Sequence, residues 1–332
     1  MAIITIKITE QQLMHLLSQG EIVLNLSGEQ ASAQPRPNQV GFLQLIKQWA
    51  EKMEQTGNQR TAETYRSALA HFSRFRDGAD LLLHDITPTL MEEYQSYLRS
   101  RQLTMNNVSF HMRILRSVYH KGIKQGLAVD CKPFRDVYTG NAQTQKRALT
   151  ADMLKRVASL NQLNPQQLYA RDMFLLSFLL RGMSFVDMAY LKPTDIRDGR
   201  LFYKRHKTGQ MLSIRWEQRM QDLVNLYPNP SAPYLLPIIT KQNGKERNQY
   251  RHSQTCINRN LKAIAEMAGI KTRLTMYCSR HSWATIAREL QVPLNVISKA
   301  MGHSNEKTTE IYIRSVDTEA VDKANEKVIK LL

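Results

Sequence analysis

The chain has 332 residues, 42% of them hydrophobic, and a formal net charge of +17 from 46 Lys and Arg against 29 Asp and Glu. That length suits two modules with a short extension, and that apolar content is enough for packed cores, which excludes a disordered chain. So large a cationic excess points to a polyanionic partner, nucleic acid first and a membrane surface second.

The membrane alternative is weak. The longest apolar stretch, 173–180, is bounded by Arg171, Asp172 and Arg181 and falls far below the roughly 20 residues that span a bilayer. The first residues lack the basic and long apolar regions of a signal peptide. Cys131, Cys256 and Cys278 are widely spaced, so reduced thiols are expected, in a cytoplasmic protein associated with the nucleoid, and no metal site.

In chain order, residues 1–38 read as an extension: a strand at 3–8, a helix after Thr9, then a polar stretch at 27–38 with two prolines. Residues 39–139 read as a helical module. Phe42, Leu45, Ile46 and Trp49 recur at helical spacing, Thr61 precedes a run with Tyr65, Leu69, Phe72 and Phe75 on one face, and Thr87 with Pro88 opens a helix carrying Met91, Tyr94 and Leu98. A fourth helix carries Val108, Met112, Leu115 and Tyr119. A generic helical bundle explains this pattern equally well, so it discloses no function.

Residues 140–147 are polar and suit a linker, and 148–332 form the second module. A helix is expected at 149–160, starting at Thr150, and a buried one at 168–180. Two strands follow, at 201–204 and 211–215, joined by the turn 205–210 with Gly209 where a positive φ is needed. Helices resume from about Ser253, with Trp283, Ile286 and Leu290 expected in the core. The fold class is mainly α, with one small β-sheet in the second module.

Three clusters in that module carry chemistry. Tyr277, Arg280 and His281 lie together, then Gly302 with His303, then Tyr312, nine residues beyond that histidine. Alone, Tyr312 between Ile311 and Ile313 would be filler, His303 a cap residue and Lys207 a solvated turn residue; their joint order and spacing is what chance does not supply. This arrangement resembles the signature of the tyrosine recombinase, or phage integrase, family. The resemblance implies an N-terminal helical core-binding (SAM-like) domain and an α+β catalytic domain, closing as a C-shaped clamp on duplex DNA.

It also implies roles. Tyr312 is the nucleophile, Arg280 the second catalytic arginine, Lys207 the general acid in the β-hairpin turn, and His303 a donor to the scissile phosphate. His281 supports its neighbours rather than touching the phosphate. Phosphoryl transfer to tyrosine gathers negative charge on the phosphate oxygens, and fixed arginines, whose planar fork stays charged, stabilise it without a metal or other cofactor. Two positions depart from the family. Tyr277 stands where histidine is usual; it donates a hydrogen bond but adds no charge. Ser184 stands at the first-arginine position, with Asp187 on the acidic one. Arg181, one helical turn earlier, is the expected stand-in, and Arg205 the runner-up. The serine, with Arg181, Gly182 and Met183 before it, resembles a Bacteroidetes subgroup of integrases and invertases.

The implied function is site-specific recombination, as integration, excision or inversion, through a 3′-phosphotyrosine and a Holliday junction. Expected partners are double-stranded DNA, three further copies in a tetrameric synapse, and a host DNA-bending or accessory factor. Val316, Val321, Ala324, Val328 and Leu331 form an apolar stripe that the family buries in a neighbouring protomer; packing on its own domain stays open. A catalytically silent DNA-binding protein on the same fold, and a type IB-like topoisomerase, are the alternatives.

Overall fold

The structure, a computed structural model, describes residues 40–142 and 147–303 together with Thr309 and Ile329. The extension 1–38, residues 143–146 of the linker, Tyr312 and the apolar stripe beyond it lie outside the described residues. Two compact units divide the chain, Met1–Gln143 and Thr144–Leu332.

Among its described residues the first unit has four α-helices: α1 (Phe42–Gln55), α2 (Gln59–Phe75), α3 (Pro88–Ser100) and α4 (Met105–Lys124). The starts of α1, α3 and α4 are set by short polar side chains that accept otherwise unpaired N–H groups. Thr87 Oγ1 accepts from Leu90 N–H at 3.2 Å in front of α3, and the Asp80 carboxylate takes the N–H of Leu43 at 2.8 Å and of Gln44 at 3.2 Å at the head of α1. Phe42, Phe72 and Tyr94 meet edge to face at 5.7 and 4.9 Å in the core.

The second unit opens with α5 (Ala151–Ala158), α6 (Pro165–Leu179) and α7 (Phe185–Ala189). Asn164 and Gln167 form a reciprocal cap on α6 at 2.9 and 3.1 Å. An antiparallel sheet follows in the order β1 (Ile196–Arg197), β2 (Arg200–Lys204), β3 (Met211–Arg215). Then come α8 (Gln218–Asn225), α9 (Glu246–Met267), α10 (Met276–Glu289) and α11 (Leu294–Ala300). Gly209 has φ +68° in the β2–β3 turn, as expected.

Several elements differ from the sequence reading. Strand β1 has only two residues, too short to show alternation, and α8 buries only Met220 and Val224. Helix α9 begins at Glu246, not near Ser253, because its first two turns bury nothing and so carry no apolar period. Leu290 is 73% exposed and Trp283 and Ile286 are half-buried; α10 buries its small residues Ala284 and Ala287 instead.

The ends of α6 and α11 bear directly on the site, and both close as Schellman motifs. At α6, Gly182 N–H reaches Ser177 O at 2.9 Å and Arg181 N–H reaches Phe178 O at 3.0 Å. At α11, His303 N–H reaches Ser298 O at 3.0 Å and Gly302 N–H reaches Lys299 O at 3.1 Å. Gly302 takes the left-handed position at φ +64°; at α6 the same position is held by Arg181 at φ +59°. Arg181 is therefore not one helical turn from Ser184: residues 181 and 182 are both left-handed, and Ser184 is the extended N-cap of α7.

An L residue in the left-handed region costs about 1–2 kcal/mol. Arg181→Gly is expected to stabilise the second unit by about 1 kcal/mol, raising Tm by about 2–4 °C in thermal unfolding.

Candidate active site

Arg280 lies one turn inside α10 and is only 4% exposed. Its Nη1 donates to Gly182 O at 2.9 Å and its Nη2 to Met301 O at 2.6 Å. One guanidinium thus bridges the turn that closes α6 and the C-cap carbonyl of α11, where the helix dipole favours a cation. Close packing makes this reach feasible. A Cβ on Gly182 would lie 2.4 Å from Arg280 Cα, so only glycine lets this turn rest on α10. Beside it, the hydroxyls of Ser177 and Ser279 touch at 2.6 Å, both fully buried.

Arg205, at the head of the β2–β3 turn and 8% exposed, donates through Nη1 to Gly302 O at 2.6 Å. Two arginines from different elements therefore meet on consecutive carbonyls just before His303. Arg280 Nη2 also lies 3.0 Å from His303 Nε2, and His303 Nδ1 lies 2.8 Å from Thr309 Oγ1. An arginine has no lone pair to offer, so His303 Nε2 must accept, and its proton sits on Nδ1, donated to Thr309. Burial, and then the charges of Arg280, Arg205 and Lys207, pull the His303 imidazole down to about 4, so it is neutral near pH 7.

Lys207 is exposed on the turn, one residue beyond His206. Ser184 Oγ donates to Asp187 Oδ2 at 2.6 Å, and the His206 N–H donates to Asp187 Oδ1 at 2.8 Å. Burial raises the Asp187 carboxyl, but the hydrogen bonds from His206 and Ser184 outweigh it and hold the group below the usual carboxylate value. Tyr203 is buried nearby, and burial, with Asp187 behind it, pushes its phenol up to about 12.

Arg181 is placed differently. Its Nη1 reaches Ser213 O on β3 at 3.4 Å, and burial, then the charge of Arg200, pulls it below the usual guanidinium range. Its charge is not among those acting on His303. Tyr277 is 52% exposed and meets the His281 ring edge to face at 4.8 Å.

Comparison with known proteins gives this cluster a context. The Phage integrase SAM-like domain pattern matches residues 41–137, and the Phage integrase family pattern matches residues 147–319. The chain belongs to the phage integrase family. A tyrosine recombinase of Pseudothermotoga lettingae is 22% identical over 274 residues, covering 80% of this chain and 91% of the relative. Tyrosine recombinase XerA of Pyrococcus furiosus is 23% identical, covering 85% of this chain and 94% of its own. Among solved structures, a lambda integrase tetramer bound to a Holliday junction superposes with TM-score 0.62 at 16% identity, covering 83% of this chain and 78% of that one. The Tn1549 transposon integrase in complex with a circular intermediate DNA reaches TM-score 0.67 at 15% identity, covering 86% and 99%.

Within this family fold, the structure brings Arg280, His303, Lys207 and Arg205 around one spot. Arg181 reaches β3 through Ser213 O and, like Arg280 and Arg205, acts on the Tyr203 phenol by its charge, and Tyr312 lies outside the described residues. Sequence reasoning missed His206 altogether, and missed that Gly182 lies against Arg280; a glycine following an arginine at a helix end was the available signal.

The folded His303 value lies below the free value of 6.5, so protonation favours the unfolded chain. Its contribution is fully present above pH 6.5 and is lost as pH falls toward 4. Long-range ¹H–¹⁵N NMR is expected to show the Nδ1–H tautomer titrating near 4, and His303→Gln is expected to flatten the acid limb of the stability curve. A midpoint near the free value would contradict the Arg280–His303 contact. Gly182→Ala is expected to cost roughly 2 kcal/mol or more through forced backbone displacement, read by denaturant unfolding.

Proposed function

We propose that this chain is a site-specific DNA recombinase that cuts and rejoins DNA through a covalent 3′-phosphotyrosine formed by Tyr312. The observation that carries the reading is the convergence of Arg280, Arg205 and His303 on residues 301–303, in a chain of the phage integrase family. The Tyr312 phenolate oxygen bonds to phosphorus, the bond to the 5′-oxygen breaks, and Lys207 gives that oxygen its proton. The phosphodiester is exchanged for a phosphotyrosine, so a 5′-hydroxyl from another strand reverses the step without ATP. Arg280 and Arg205 oppose the charge that builds on the non-bridging oxygens.

Arg205, rather than Arg181, is the cation that serves where Ser184 leaves the first-arginine place empty. Its guanidinium is anchored next to that of Arg280, whereas Arg181 is turned toward β3. Tyr277 supplies a hydrogen-bond donor at the site's rim, and His281 braces it by ring contact. The serine supports membership of the Bacteroidetes subgroup. The DNA-bound tetramer of the similarly folded lambda integrase supports a synapse of four protomers that exchange strands through a Holliday junction, on double-stranded DNA, as integration, excision or inversion. A host DNA-bending factor and a nucleoid-associated cytoplasmic location fit that work. No helix among the described residues is long and apolar enough to cross a membrane.

Nicked DNA from the regions flanking the gene tests the reading on denaturing gels. Wild type should yield a covalent protein–DNA band, and Tyr312→Phe none, with DNA affinity near wild type. DNA shifting without any covalent band would favour the catalytically silent DNA-binding protein.

Removing a donor to the transition state costs about 10²–10³ in rate. Arg280→Ala and Arg205→Ala are both expected to show that loss in single-turnover cleavage, with folding followed by Tm, while Arg181→Ala stays within about tenfold of wild type. The reverse order for Arg205 and Arg181 would sink the assignment.

A further inference from the structure

The β2–β3 turn is held from two sides. Internally it closes through Gly209 N–H to Arg205 O and Arg205 N–H to Gln210 O, both 2.8 Å. On one flank the Arg205 guanidinium is fastened to Gly302 O. On the other, the His206 backbone N–H is fastened to Asp187 Oδ1 at 2.8 Å, and its ring Nδ1 lies 3.4 Å from the same oxygen, an ion pair when the imidazole is protonated. The imidazole also lies against the Tyr190 ring, centroids 4.6 Å apart and tilted by 34°. Asp187 is itself immobilised: it is 4% exposed, sits in α7, and its Oδ2 accepts from Ser184. Lys207 follows immediately, exposed, and makes no hydrogen bond or salt bridge among the described residues.

We propose that His206 is a positioning residue that locks the turn onto Asp187 and Tyr190, so that Lys207 is held where the leaving 5′-oxygen takes its proton. The inference rests on the reading of Lys207 as general acid. A lysine on a four-carbon stem has no preferred direction of its own, and its effectiveness as an acid depends on how tightly its Cα is held. The backbone bond from residue 206 survives any substitution except proline. The ring adds what that bond cannot, a second attachment to the same carboxylate and a flat face against Tyr190 that stops the turn from pivoting.

The serine at position 184 gives this attachment its importance. With only a hydroxyl on Oδ2, Asp187 has the His206 imidazole as its one ionisable side-chain partner among the described residues. The carboxylate therefore joins the departed-arginine position to the general-acid turn, with His206 as the coupling piece.

The test uses full-length protein, nicked DNA, and two versions of the scissile phosphate. One has the ordinary 5′-oxygen leaving group; the other has bridging 5′-sulfur, which leaves as a thiolate and needs no proton. His206→Ala is expected to slow cleavage of the oxygen substrate by roughly tenfold or more, as for a misaligned proton donor. DNA affinity and Tm should stay near wild type, and the sulfur substrate should restore the rate to within about threefold of wild type. His206→Gln keeps a side-chain N–H for Asp187 and should retain most of the activity. Lys207→Ala is the reference and should show a larger loss with the same rescue.

Equal slowing of His206→Ala on both substrates, or an unimpaired oxygen rate, overturns the proposal while leaving Lys207 as the acid. Failure of sulfur to rescue Lys207→Ala overturns the general-acid reading, and the role of His206 falls with it.

Discussion

The Arg280 guanidinium is the joint on which the second unit's site depends. It is buried, its charge cannot be discharged, and the groups that satisfy it are the last carbonyls of two separate helices, Gly182 O beyond α6 and Met301 O beyond α11. A buried arginine left without such partners would cost several kcal/mol, so the two helix ends are tied to one place. The left-handed turns at Gly182 and Gly302 and the paired small residues Ser177 and Ser279 all follow from the need to bring those ends to the same side chain. Arg205 uses the next carbonyl along, which brings the hairpin to the same spot.

Electrostatics then follow from packing. Burial, and then three cations around one imidazole, keep His303 neutral, and the Arg280 contact fixes which of its nitrogens carries the proton. Asp187 does the same for the hairpin from the other side, as a carboxylate kept ionised by the donors aimed at it. Arg280 and Arg205 are thereby oriented by backbone carbonyls, and the His206 backbone by a buried acid, rather than by solvent.

How much of this was legible from the sequence depended on distance along the chain. Arg280, His303 and Tyr312 fall within one stretch of 33 residues, and the spacing of the first two was readable because a helix and a glycine-closed helix end each have a fixed local geometry. Thr87 and Thr150 announced helix starts for the same local reason. Contacts made over long separations were silent. Arg205 meets Gly302 across 97 positions and Arg280 meets Gly182 across 98, and neither leaves a period or a propensity. Reading Arg181 as a helical neighbour of Ser184 failed because Arg181 occupies a left-handed position where glycine is usual, which sequence patterns do not foresee. Leu290 was misjudged because α10 packs through alanines and serines, so its apolar spacing did not mark the buried face.

The occupied state of the Arg280 fork sets how the site would discriminate among anions. Its Nη1 and Nη2 already face two carbonyl dipoles and an imidazole lone pair, so a phosphate arriving at those atoms exchanges partners. A diester with a single negative charge competes only modestly with those neutral acceptors. A five-coordinate phosphorus centre, with its charge nearly doubled, competes far better. The carbonyls of two helix ends thus act as a threshold: they discount attraction for resting DNA and leave the larger share for the moment of strand transfer, which is how binding energy becomes rate rather than affinity.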